Sequence, residues 1–86
     1  MNPKQLKVFL AVARTKSFAE AAALVHMSQP AVSLSIKNLE DSLGGRLFTR
    51  TTRTTHLTPE GEALMPIAKS LLASWADAEH ELHQRF

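Results

Sequence analysis

Gln29, Ser33 and Lys37 recur every four residues, so on an α-helix they stack along one side. An amide, a hydroxyl and an ammonium in one column can hydrogen-bond base edges and neutralise phosphate. Val32, Ile36, Leu39 and Leu43 fall at i, i+4, i+7 and i+11 and give the same helix a greasy face. Ser28 is placed to cap it, because its hydroxyl can accept a backbone N–H of the first turn, and Pro30 sits where its missing N–H is harmless. Gly44 and Gly45 suit a left-handed stop after Leu43. A helix that begins with Ser, Gln and Ser and carries Lys one turn on has the features of one that enters a groove of DNA. The same pattern describes a core helix with a solvated face, and the helix alone leaves both readings open.

A second group of candidate residues lies in 46–57. Leu47 and Phe48 are followed by Arg50-Thr-Thr-Arg53-Thr-Thr and then His56-Leu57. Threonine is β-branched and favours extended backbone, which predicts strands over 47–50 and 54–57 around a polar tip with Arg50 and Arg53. Beside a helix-turn-helix such a ribbon is a wing, and arginine there can contact phosphate or enter the narrow minor groove. The alternative is a solvated hairpin with two incidental arginines.

The elements that must position these groups are readable in outline. Leu6, Phe9, Leu10 and Ala13 form a helical stripe over 4–15, with Pro3 in the first turn and Asn2 as cap. Ser17-Phe18-Ala19-Glu20 has the form of a capping box, in which Ser17 bonds the Glu20 N–H and Glu20 reaches back. It opens a helix over 18–25, where Ala19, Ala21, Ala22 and Ala23 permit close approach and Leu24 and Val25 supply bulk. His26-Met27-Ser28 then makes a short turn into the helix over 29–43, and two helices so joined match the helix-turn-helix.

Thr58 caps a last helix, with Pro59 at its first position and Glu60 and Glu62 complementing its positive end. Run to the chain end it is about 40 Å long. Leu64, Ala68, Leu71, Trp75, Ala78 and Leu82 are spaced 4, 3, 4, 3, 4, a heptad rhythm. A core this small cannot cover so long a stripe, so a second copy of the helix is the expected partner, with packing on the first helix accounting for part of its N-terminal half. Pro66 removes the bond back to Glu62 and predicts a bend without a stop.

Composition narrows the function classes. Residues 1–58 hold eight Lys/Arg against three Asp/Glu, and residues 59–86 hold two against five, so a front of +5 is followed by a tail of −3. That asymmetry suits a polyanion partner for the front. There is no cysteine, hence no disulfide or Cys-based zinc site. No apolar run approaches a membrane span and the N-terminus lacks a signal-peptide layout, so a cytoplasmic protein that does not enter the membrane is expected. Neither a phosphate-binding glycine loop nor a nucleophile elbow occurs, and no enzyme, cofactor or metal is expected. His80 and His83 with Glu79 lie one helical turn apart but lack further ligands, and His26 and His56 read as turn and strand residues. A winged helix that docks on protein is the remaining alternative, and Leu34 on the outer face of the 29–43 helix suits it.

In order, the chain presents Ser17-Phe18-Ala19-Glu20-Ala21-Ala22, Ser28-Gln29-Pro30-Ala31-Val32-Ser33, Leu39-Glu40, Leu43-Gly44, Leu47-Phe48-x-Arg50 and Leu57-Thr58-x-x-Gly61. Over essentially its whole length it resembles the N-terminal DNA-binding domain of bacterial LysR-type transcriptional regulators. The resemblance implies a mainly α fold. A winged helix-turn-helix spans 1–58, with the helix-turn-helix at about 18–37 and the wing at about 46–57. It implies that a linker helix over 59–86 pairs two subunits antiparallel. It implies double-stranded operator DNA as partner, bound as an interrupted inverted repeat with T and A at its outer ends. The positions it implies at DNA are Ser28, Gln29, Pro30, Ala31, Ser33, Leu34 and Lys37, with Arg50 and Arg53 in or beside the wing. It also implies a C-terminal effector-binding domain and tetramers of the full-length protein, and these 86 residues do not include that domain. Leu34 departs from the pattern, because many relatives carry a long polar residue such as Arg there. A leucine can meet a thymine methyl but cannot make the bidentate guanine contact.

Overall fold

The computed structural model describes residues 1–51 and 54–86. Among these residues four helices and a two-stranded ribbon follow one another as α1 (Pro3–Thr15), α2 (Phe18–Leu24), α3 (Gln29–Leu43), β1 (Phe48–Arg50), β2 (Thr55–Leu57) and α4 (Pro59–Arg85). All four helix starts follow local capping chemistry. Asn2, Ser17, Ser28 and Thr58 accept the backbone N–H groups of Gln5, Glu20, Ala31 and Gly61. The box at Ser17 is only half formed, because the Ser17 N–H donates to Thr15 Oγ1 at 3.3 Å. The helix ends are equally local: α1 stops at Lys16 and α3 at Gly44, both left-handed, with φ of 56° and 77°. The turn between α2 and α3 passes through His26, also left-handed, and the Met27 N–H returns to the Ala22 carbonyl.

α1 is the hub and packs against α2, α3 and α4. It therefore buries more than the expected single stripe. Val8, Ala11 and Val12 are enclosed with Leu6 and Phe9, and Leu10 and Ala13 are only partly covered. α2 enters the core through Phe18, Ala21 and Ala22. Leu24, expected as an anchor, is exposed, and Phe18 at the other end of the helix supplies the bulk. α3 contributes Val32, Ile36 and Leu39, each essentially inaccessible. Leu43 does not join them; it is 46% exposed as the last residue of α3, beyond the reach of the core.

The ribbon is antiparallel, with Phe48 opposite Leu57, Thr49 opposite His56 and Arg50 opposite Thr55. Each strand begins one residue later than expected. Leu47 stays out of the ladder because its backbone is used elsewhere: its N–H donates to the Glu40 carboxylate at 2.7 Å and its carbonyl accepts the Thr58 N–H at 2.9 Å. Thr58 completes the junction by donating its hydroxyl to the Arg46 carbonyl at 2.6 Å. Phe48 fastens the ribbon to the core, its ring 5.5 Å from Phe9 and 5.9 Å from Phe18.

α4 continues through Pro66 and divides into two parts. Gly61, Leu64 and Ala68 are buried and Met65 and Leu72 partly so, whereas every residue from Ala73 to Phe86 is exposed. The expected seam divides with it. Leu64 and Ala68 face the protein's own core, with Ala68 at 0% exposure, and are unavailable to a second copy. The reason is length: the 13 residues of α1 cover only part of a helix of 27 residues. Leu71, Trp75, Ala78 and Leu82 lie exposed beyond that cover. Among the described residues no helix is long and apolar enough to cross a membrane.

Candidate nucleic-acid interface

With Val32, Ile36 and Leu39 facing inward, the opposite side of α3 is presented outward as a rigid ridge. Ser28, Gln29, Pro30, Leu34 and Lys37 are exposed on it, and Ala31 and Ser33 are half-buried. The Ser28 hydroxyl accepts the Ala31 N–H at 3.2 Å, so its own proton remains available to an outside acceptor. Leu34 is 57% exposed, a large aliphatic group among polar neighbours. Lys37 leans on Asp41, one turn away, at 3.2 Å. Both side chains are well solvated, so this pair is weak and exchanges readily for another anion.

The structure brings part of the predicted set together. Ser33, Leu34, Lys37 and Arg50, joined by Arg46, which was not in that set, line one open concavity of about 750 Å³ between α3 and the ribbon. Gln29 and Pro30 sit outside it, at the start of the ridge. Arg50 projects from the end of β1 with its guanidinium carbon 3.9 Å from the centre of the Phe18 ring. Arg53, predicted at the tip, lies outside the described residues.

Two further residues shape the site that the sequence did not single out for a role. Arg46 sits on the concavity with its Nε 3.6 Å from Glu40. Glu40 itself is mostly covered, with a side chain 13% exposed, and its carboxylate holds the Leu47 N–H. It thus ties the last turn of α3 to the root of the ribbon and sets how far apart they stand. Replacing it with alanine leaves the partly buried Leu47 N–H without an acceptor, for an expected loss of about 1–3 kcal/mol. Urea unfolding of Glu40→Ala should show that drop at unchanged slope, and Glu40→Gln, which keeps an acceptor oxygen, should lose less. The signal in the sequence was the position of Glu40 inside Leu39-Glu40, but nothing there indicates a partner seven residues on.

Among the described residues no three His, Asp or Glu side chains converge in a way that can hold a metal ion. The surface that remains is a ridge of mixed donors and acceptors with cations along one border. Residues 3–62 match the family described as bacterial regulatory helix-turn-helix protein, lysR family. The chain belongs to the LysR family. It is 44% identical over 82 residues to the HTH-type transcriptional regulator HdfR of Yersinia enterocolitica, an alignment covering 95% of this chain and 28% of that protein. The chain therefore spans about 28% of the length of the curated relatives it matches. Its fold is similar to that in the crystal structure of the CbnR DNA-binding domain with DNA, with a TM-score of 0.94 at 33% identity over 99% of this chain and 98% of that one. It is also similar to DarR of Vibrio fischeri in complex with DNA, with a TM-score of 0.94 at 32% identity, over 98% of this chain and 29% of DarR. LysR-family membership and the winged helix-turn-helix fold expected from the motifs are thus in place.

Proposed function

We propose that this chain is the sequence-specific DNA-binding domain of a bacterial transcriptional regulator and acts on DNA in the cytoplasm as a dimer. The observation that carries the reading is the outward ridge of α3, polar and rigidly backed, with the cationic border of the ribbon alongside. The DNA complexes of CbnR and DarR, alike in fold over nearly the whole chain, support it. The N-terminal half of α3 enters the major groove and the ribbon lies at the backbone or minor groove. Gln29 reads adenine through its amide, and the Pro30 ring and Ala31 suit a thymine methyl. Ser28 and Ser33 donate or accept at several bases. Lys37, Arg50 and Arg53 neutralise phosphate. Leu71, Trp75, Ala78 and Leu82 meet their equivalents on a second copy, so that two ridges address two half-sites of an inverted repeat.

In-vitro selection from random duplex DNA at near-physiological salt tests this directly. The expected product is an inverted repeat with half-sites about one helical turn apart. Tight, salt-sensitive binding without enrichment would remove the sequence-reading part. Retention on neither duplex nor heparin would favour protein docking through the exposed Leu34. On the selected site, Gln29→Ala should lose about 1–3 kcal/mol confined to one base-pair step. Arg53→Ala should instead weaken binding on every sequence and lower the salt slope by about one. Competition titrations with single-base variants at several salt concentrations separate the two patterns.

A further inference from the structure

Among the described residues three cations line the concavity between α3 and the ribbon, and they are not equivalent. Lys37 is matched with Asp41 and Arg46 with Glu40. Arg50 has no carboxylate partner among the described residues. Its guanidinium lies instead over the ring of Phe18, 3.9 Å from the centroid. That ring is held from behind. Phe18 is 5% exposed, its ring meets Phe48 nearly edge-on at 73°, and Phe48 in turn leans on Phe9. The aromatic surface under Arg50 is thus part of the core and does not follow the arginine's motion.

Stacking occupies the π face of a guanidinium and leaves its in-plane N–H donors free. An arginine seated this way is biased, before any ligand arrives, toward rotamers that keep it on the ring with its donors free. We propose that Phe18 is a positioning residue for DNA: it holds the plane of Arg50 so that the free edge meets a phosphate of the strand passing the concavity. Phe18 touches no DNA itself. The role rests on the reading of this face as a DNA interface.

The test uses the 86-residue chain with single and double substitutions. In the free protein, the Arg50 side-chain protons should resonate upfield through the ring current of Phe18. The shift should persist in Phe18→Tyr and vanish in Phe18→Leu. Binding to the selected duplex is then measured for Phe18→Leu, Arg50→Ala and the pair, with thermal unfolding used to hold the folded fraction near one. Phe18→Leu should weaken binding by about fivefold, the scale of one such contact, and should weaken the Arg50→Ala protein hardly at all. Phe18→Tyr should bind as the unaltered chain does. An equal loss in both backgrounds would overturn the proposal and leave Phe18 a core residue only. Should Phe18→Leu not fold, Arg50→Lys probes the same contact from the other side, because it keeps the charge and gives up the stacked plane. Binding as tight as that of the unaltered chain would then overturn the proposal, and binding close to that of Arg50→Ala would support it. If the unaltered chain binds no duplex, the interface reading fails and the positioning role with it, whereas a persistent ring-current shift shows that the stack itself stands.

Discussion

Gly61→Ala is expected to destabilise the fold by about 3 kcal/mol, the upper end of the range for forcing a methyl into a packed site. A β-carbon built on Gly61 overlaps the Leu47 carbonyl oxygen, lies 2.8 Å from Leu57 Cδ2 and 3.2 Å from the Leu47 carbonyl carbon. The Leu57 methyl can swing aside. The Leu47 carbonyl cannot, because it accepts the Thr58 N–H, and the N–H of the same residue, one peptide earlier, is held by Glu40. Gly61 sits in the first turn of α4, where alanine is otherwise the better helix former by about 1 kcal/mol. The two effects have opposite signs, so the outcome decides between them. Thermal unfolding at fixed protein concentration should show Tm falling by roughly 12–24 °C. An unchanged or higher Tm would mean that the ribbon root and α4 do not approach as closely as described.

Placing glutamate at both Leu71 and Trp75 should leave the domain folded and separate the proposed dimer. The two side chains are 43% and 56% exposed, so little of the protomer's own core depends on them. In a seam between two copies, four carboxylates would be brought together and stripped of water, which association cannot offset. Sedimentation should report a monomer where the unaltered chain is dimeric. Affinity for an inverted repeat should drop by about 10²–10⁴-fold, because the second half-site loses its tethered partner. Affinity for an isolated half-site should not change. Ala68→Glu is the informative contrast: it belongs to the same heptad but lies at 0% exposure inside the protomer, so it should unfold the domain. Equal behaviour of the two variants would contradict the division of α4 into a core half and a free half.

What was legible in the sequence, and what was not, follows the range of the interactions involved. The caps at Asn2, Ser17, Ser28 and Thr58 and the stop at Gly44 rest on bonds spanning three or four residues and are legible in the sequence, although α2 ends one residue short of the expected Val25 and Glu20 does not return the bond to Ser17. Periodicity identified Val32, Ile36 and Leu39 as the inner face of α3, and with them the outward ridge. Periodicity says nothing of how many neighbours a helix has, so the second buried side of α1, through Val8 and Ala11, went unread. Nor does it say where cover runs out. Leu43 and Leu24 have the right type and spacing for a core and still lie in solvent, and one unbroken heptad gave no sign that Ala68 and Trp75 differ in fate. The clamp of Glu40 on Leu47 and the seat of Arg50 on Phe18 join positions brought together only by the packed fold. Motif order located both residues but not their partners.

The junction at Leu47 also has a mechanical meaning. Leu47 is gripped on both sides, its N–H from α3 through Glu40 and its carbonyl from α4 through the Thr58 N–H, and the cap of α4 is bonded again to Arg46. These bonds fasten the start of the long helix directly to the end of the ridge, so the two turn as one lever. Rotating an arm of ~40 Å by roughly 5° about its root moves the far end by roughly 3.5 Å, close to the rise of a single base-pair step. In the proposed dimer, a small change in the angle at which the two arms cross would therefore alter the distance between the two ridges by a step that DNA can register, with no part of either domain having to bend.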